Sequence, residues 1–183
     1  MVLSSKLLNQ VIDLKAIVGQ FGLEPGMRVA DFGTGSGYFT LEMARALGES
    51  GVVTAVDILD SALETVSSRV NSAGLENIQL VKANLEVLGA SGLADESQDF
   101  VLLANILFQN DGKIMIIREA KRVLMPGRRL AVIDWEKGNG GLGPPDEYRT
   151  PKASILSLVS QEGFTYEKDI FVDVYHFGMM FRK

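Results

Sequence analysis

From Val29 to Thr40 the chain reads Val-Ala-Asp-Phe-Gly-Thr-Gly-Ser-Gly-Tyr-Phe-Thr, a short apolar strand that runs into three glycines at alternate positions. Glycines so spaced let the backbone turn tightly and come close to a ligand, because no Cβ stands in the way. After them, Tyr38 to Leu47 takes a helical period, with Phe39, Met43, Ala46 and Leu47 on one side. Val52 to Val56 is then a β-branched strand that ends at Asp57, twenty residues after Gly37. A carboxylate at that position is placed to accept hydrogen bonds from a ribose diol. Strand, glycine turn, helix and acidic strand end together point to an α/β unit whose turn either holds a ligand or is simply a tight join of strand to helix.

The rest of the chain continues the alternation. Ser61 to Ala73 reads as a helix closed by Gly74, Ile78 to Lys82 as a strand, and Ala83 to Gln98 as an irregular stretch. Asp99 to Leu103 is a continuous apolar run, the mark of a strand buried on both faces. A helix follows over Lys113 to Leu124, ending before Pro126-Gly127, and Arg129 to Asp134 is the next strand. Glu136 to Tyr148 is loop. Thr150-Pro151 starts a helix, hydroxyl cap then proline at the first helical position, that runs to Gln161. Phe164–Val172 and Val174–Phe181 read as two strands joined by a tight turn near Asp173. Such alternation implies a mostly parallel seven-stranded sheet with helices on both faces, a three-layer α/β sandwich. The closing pair is too near for a crossover, so the last strand runs antiparallel.

A length of 183 residues suits one domain over residues 1–183, able to bury about 70% of its unfolded surface without a staple. No cysteine is present, which excludes disulfides and thiolate chemistry, and the single histidine, His176, argues against a zinc site. The net charge of −5 disfavours broad contact with nucleic acid. Residues 1–21 carry apolar side chains at helical spacing without a secretory h-region, and no run reaches the ~20 apolar residues of a membrane span. The expectation is a cytoplasmic protein whose N-terminal helix covers a ligand pocket, supports a homodimer, or simply packs.

The glycine spacing separates two ligand classes. A dinucleotide fingerprint wants Gly-x-Gly-x-x-Gly, and here Tyr38 stands where its third glycine belongs. Asp31, two residues ahead of Gly33, repels a pyrophosphate but favours the ammonium and sulfonium of S-adenosylmethionine. Asp31 to Gly37 resembles the glycine motif of class I, Rossmann-like S-adenosylmethionine-dependent methyltransferases, and residues 20–183 follow that family's order. Asp57-Ile58 resembles its ribose-binding strand end, and Ala83-Asn84-Leu85-Glu86 its adenine segment, with Asn84 where Asp is usual. Ala104 to Gln109 resembles the segment that lines the transfer site. Leu124 to Arg128 resembles the Leu-x-Pro-Gly-Gly turn, with Arg128 for its second glycine. Asp134-Trp135, Gly140 to Pro145 and Tyr175 to Gly178 are similar to a group of small bacterial methyltransferases.

The resemblance implies methyl transfer from S-adenosylmethionine to a small molecule. Asp31 would face the methionine ammonium, and Gly33, Thr34, Gly35, Gly37 and Tyr38 the methionine and ribose. Asp57 and Ile58 would take the ribose, Asn84 and Leu85 the adenine, and Asn105 the cofactor or acceptor. His176, at the start of the last strand, either accepts a proton from the acceptor or is bonded within its hairpin. Trp135 and Tyr148 line an acceptor pocket or fill the core, and Gly138 to Pro145 is a lid or a connector. Two other classes stay open: a nicotinamide-dependent oxidoreductase, and a protein that binds the cofactor without catalysis. Absent cysteines disfavour metalloid acceptors.

Overall fold

The computed structural model describes residues 13–138 and 141–183. Most of the expected N-terminal helix therefore lies outside the described residues, and its end is α1, Leu14–Gly19, capped by the Asp13 carboxylate. Seven strands form one sheet: β1 Arg28–Phe32, β2 Val52–Asp57, β3 Ile78–Lys82, β4 Gln98–Ala104, β5 Leu124–Trp135, β6 Thr165–Ile170 and β7 His176–Arg182. Their order is β3-β2-β1-β4-β5-β7-β6. The first five are parallel, and β7 runs antiparallel to both β5 and β6. The expected architecture is the observed one.

Alternation along the central strands divides the core between the two faces. Ala30, Phe32, Val101, Leu103, Leu130, Val132 and Phe181 pack with α4 (Lys113–Val123) and α5 (Lys152–Gln161). Val29, Val53, Phe100, Leu102, Ala131, Ile133 and Met180 pack with α1 and α2 (Tyr38–Leu47). Phe32, Phe100 and Phe181 are fully buried, each contributing roughly 1.5–3 kcal/mol of hydrophobic stabilisation. Strand order reverses between β1 and β4, since the chain builds outward first through β2 and β3 and then through β4 and β5. The crevice above that reversal, at the carboxyl ends of the strands, is where open α/β sheets bind ligands.

Several boundaries differ from the sequence reading. The helix α3, Asp60–Ala73, does end at a left-handed Gly74, as expected. β5 starts as soon as α4 ends, because Leu124 already pairs with Gln98 and the Pro126-Gly127 turn only shifts the register. The cap of α5 is Pro151, at φ −55° and ψ 139°, and no side chain caps it, so Thr150 has no capping role. A single turn of 3-10 helix, Asp146–Tyr148, interrupts the expected loop. The β6–β7 connection is five residues long, not a tight turn. There the Gln20 side chain bonds both N and O of Phe171, and Asp173 takes the N–H groups of Tyr175 and His176, so these groups cannot extend the ladder.

Candidate active site

The turn after β1 is built from left-handed glycines: Gly33 at φ 77°, Gly35 at 51° and Gly37 at 76°. A Cβ at residue 33 would lie 2.6 Å from Ile106 Cδ1, and one at residue 37 would lie 2.8 Å from Val66 Cγ2 on α3. Gly33 and Gly37 are thus fixed by close packing as well as by φ. Gly35 meets nothing nearer than 4.0 Å, so its side faces open space. Its N–H donates to Asp57 Oδ2 at 2.9 Å, while Leu59 N–H donates to Oδ1 at 3.0 Å. Each carboxylate oxygen of Asp57 keeps a lone pair for a ligand hydroxyl.

Asp31 ends almost fully buried beneath this loop. Burial pushes its carboxyl up to about 6, against the opposing hydrogen bonds from Thr40 and Thr34 and with help from the Asp57 charge. Thr40 donates to Asp31 Oδ2, and the Thr34 hydroxyl lies 2.5 Å from that of Thr40, joining Asp31 to the cavity wall by a buried hydroxyl chain.

A cavity of about 940 Å³ opens over the strand ends. It brings together every residue expected at the cofactor: Asp31, Gly33, Thr34, Gly35, Gly37, Tyr38, Asp57, Ile58, Asn84, Leu85 and Asn105. The Asn84 side chain is partly engaged, its Oδ1 accepting Glu86 N–H at 3.0 Å. Asn105 sits just past β4 at φ 54°, an uncommon conformation for a residue with a side chain, and its Oδ1 is buried with no hydrogen-bond partner among the described residues. Among the described lining residues the charged groups are Asp31, Asp57 and Glu86, with no lysine, arginine or histidine.

His176 is not on that wall. It is the first residue of β7, opposite Trp135 of β5, and its ring lies 4.0 Å from the indole, centroid to centroid. Asp173 shares its carboxylate with Nδ1 at 2.9 and 3.0 Å, while Nε2 is buried without a partner among the described residues. The hairpin reading of His176 is the one its geometry supports. Trp135 and Tyr148 also stay off the cavity wall, and a Cβ at Gly143 would lie 2.3 Å from the Trp135 ring, so the described part of that loop packs on the indole. Arg149, almost fully buried, holds the loop by donating to the carbonyls of Glu136, Leu142 and Pro144.

Glu86 of the expected adenine segment and Ile106 and Gln109 of the expected transfer segment also line the cavity, and Leu14, Leu59, Ala62, Asn110 and Ile116, to which the sequence reading gave no site role, complete it. Leu59 and Ala62 are spaced one helical turn apart, a signal that was readable; Asn110 carries none. Glu119 was missed too, although it falls on the apolar stripe of Ile116, Ala120 and Val123. Fully buried, it accepts from Gly89 N at 2.8 Å, Ser91 Oγ at 2.5 Å and Arg122 Nη2 at 2.7 Å. Burial would raise its carboxyl, but the bonds from Arg122, Ser91 and Gly89 outweigh this and bring it down to about 2. Glu119 thereby anchors the β3–β4 loop whose first residues wall the cavity.

The methyltransferase domain family matches residues 23–166, from the turn ahead of β1 into β6. The chain belongs to that family. As a whole this methyltransferase is similar to a SAM-dependent methyltransferase from Aquifex aeolicus, with a TM-score of 0.87 and 28% identity over 98% of this chain and 93% of that one. It is 35% identical over 117 residues to the ubiquinone/menaquinone biosynthesis C-methyltransferase UbiE of Shewanella pealeana. That match takes in 63% of this chain and 45% of the relative, so the methyltransferase spans less than half of the relative's length. An arsenic(III) S-adenosylmethionine methyltransferase from Chlamydomonas reinhardtii shares the fold, at TM-score 0.66 and 23% identity over 86% of this chain and 63% of that one.

The Aquifex aeolicus relative depends on S-adenosylmethionine. The cavity fits it: all charges on the described wall are acidic, opposite to a sulfonium and an ammonium, and Gly35 leaves the backbone open to close approach. A dinucleotide is not favoured, since its pyrophosphate would meet Asp31, Asp57 and Glu86 with no cation to offset them. Among the described residues no helix is long and apolar enough to cross a membrane, and no cluster of potential metal ligands occurs.

Proposed function

We propose that this methyltransferase moves the methyl group of S-adenosylmethionine to a small molecule bound in the same cavity. The observation that carries the reading is a cavity of about 940 Å³ at the sheet's switch point, large for one ligand, whose charged lining is wholly acidic. The bound cofactor supplies an electrophilic methyl on sulfur. The chain's own work is to bind, align and exclude water. Asp31 faces the ammonium, the backbone of Gly33 to Gly37 the methionine and ribose, and Asp57 the ribose hydroxyls. Ile58 and Leu85 flank the adenine with Asn84 at its edge, and Asn105 faces the reacting end. His176 takes no part at the acceptor in this reading, because its ring lies against Trp135 and does not line the cavity. The reading keeps the protein cytoplasmic and gives it neither nucleic acid nor metal.

Calorimetric titration with S-adenosylmethionine, S-adenosylhomocysteine and NAD tests it. Micromolar binding of the first two and none of NAD is expected; binding of NAD alone overturns the reading.

A further inference from the structure

Resting on that reading, we infer that the methyl acceptor carries no negative charge, and that Glu86 is the residue that selects for a neutral or cationic molecule. With Asp31 on β1 and Asp57 at the end of β2, Glu86 is the remaining charge of the described wall. It leaves the adenine segment and reaches the mouth of α4, where Oε1 accepts Gly112 N–H at 2.9 Å. A Cβ at residue 112 would stand 2.9 Å from the Glu86 carboxyl, so that group is seated against bare backbone and held in place. Its second oxygen has no hydrogen bond, and the carboxylate no ion pair, among the described residues. A fixed carboxylate with one free oxygen is a ready acceptor for an ammonium, hydroxyl or amide N–H, and it repels an anion.

The groups that could offset it are turned elsewhere. Lys113 donates to the Asn110 carbonyl at 2.5 Å, and Arg69 lies over the Tyr38 ring at 4.1 Å while bonding its hydroxyl at 3.0 Å. Neither lines the cavity. Apart from Asp31, Asp57 and Glu86 the described wall is uncharged, and it includes Asn105 and Gln109, whose side chains bond to no other described residue, with Ile106 and Ile116. A carboxylate or phosphate entering this end would lose its hydration and find no cationic side chain on the described wall to offset Glu86. A neutral ring bearing hydroxyl or amino groups would find carboxamides to pair with and apolar side chains to pack on.

The test is protein-observed NMR of the methyltransferase loaded with S-adenosylhomocysteine, against a fragment set divided equally among anionic, neutral and cationic head groups on shared aromatic scaffolds. Loading itself reports the reading on which this rests, so failure to load is distinct from failure of the charge rule. The expected result is that fragments shifting the Asn105 and Gln109 resonances are neutral or cationic. Glu86→Gln keeps the acceptor for Gly112 N–H and should lower the preference for an amine over its matched alcohol about tenfold. Gln109→Lys, at an exposed position, should admit carboxylates. Anions bound at their share of the set, no fragment seated there in any class, or an amine preference unchanged in Glu86→Gln overturns the inference.

Discussion

Asp57 Oδ2 accepts the Gly35 amide at 2.9 Å, so the end of β2 is tied to the tip of the glycine loop before any ligand arrives. The bond orients the carboxylate and holds the left-handed turn together. Asp57→Ala is expected to lower S-adenosylmethionine affinity by about a hundredfold, as a charge-assisted contact and its loop order are lost together. Asp57→Asn retains an oxygen for one of the two amides and should fall between. Calorimetry on the folded variants decides it, and an unchanged affinity would remove Asp57 from the site.

Gly35 and Gly37 share positive φ but differ in what surrounds them. Gly37→Ala drives a Cβ to 2.8 Å from Val66 and should cost about 2–3 kcal/mol of stability, strain and overpacking together. Gly35→Ala, with open space around it, should cost only about 1 kcal/mol while weakening cofactor binding more than Gly37→Ala does. Thermal unfolding and titration of the two variants separate the effects.

Burial raises the Asp31 carboxyl from 3.8 to about 6, so folding favours its protonated form. Its carboxylate therefore costs stability that is absent near pH 4 and complete above about pH 6. Asp31→Asn should stabilise the cofactor-free protein at pH 7–8 by up to about 3 kcal/mol and leave it unchanged near pH 4. Cofactor binding should move the other way, because the proposed role of Asp31 is to hold the ammonium with its carboxylate. The same variant is expected to bind S-adenosylmethionine more weakly at pH 7.5. Stability and affinity falling together would contradict the assignment.

The bonds of Glu119 hold its carboxyl near 2, well below its ordinary 4.5, so its stabilising contribution is present above about pH 4.5 and fades as pH falls towards 2. Glu119→Gln should cost about 3 kcal/mol at pH 7, since Arg122 loses its buried partner. The difference from the parent should shrink below about pH 3. Denaturant unfolding at the two pH values measures this.

Trp135, the only tryptophan, reports on the loop that Arg149 holds. Arg149→Ala removes the donors to three loop carbonyls and the guanidinium 5.4 Å from the indole centroid. A red-shifted, more quenchable emission is expected with cofactor affinity retained, because neither residue lines the cavity. Loss of cofactor binding in this variant would mean the loop supports the site after all.

The sequence by itself determined the order of elements, the glycine turn and most of the cavity wall. Asp31, Gly33 to Gly37, Asp57, Asn84 and Asn105 all lie within a few residues of a strand's carboxyl end. A strand that is recognisable by its periodicity delivers its last residue to the crevice whatever its neighbours are. Tertiary structure alone decided the rest. His176 sits at the right edge of the sheet, yet β7 inserts between β5 and β6 and pairs it with Trp135, away from the cavity. Glu86 lies outside any regular element, and its place on the wall depends on Gly112, twenty-six residues away. Glu119 finds its partners only because the loop of Gly89 and Ser91 comes to meet it. Local conformational preference is encoded over a few neighbouring residues, whereas lateral placement across a sheet depends on strand order and on partners distant in the chain.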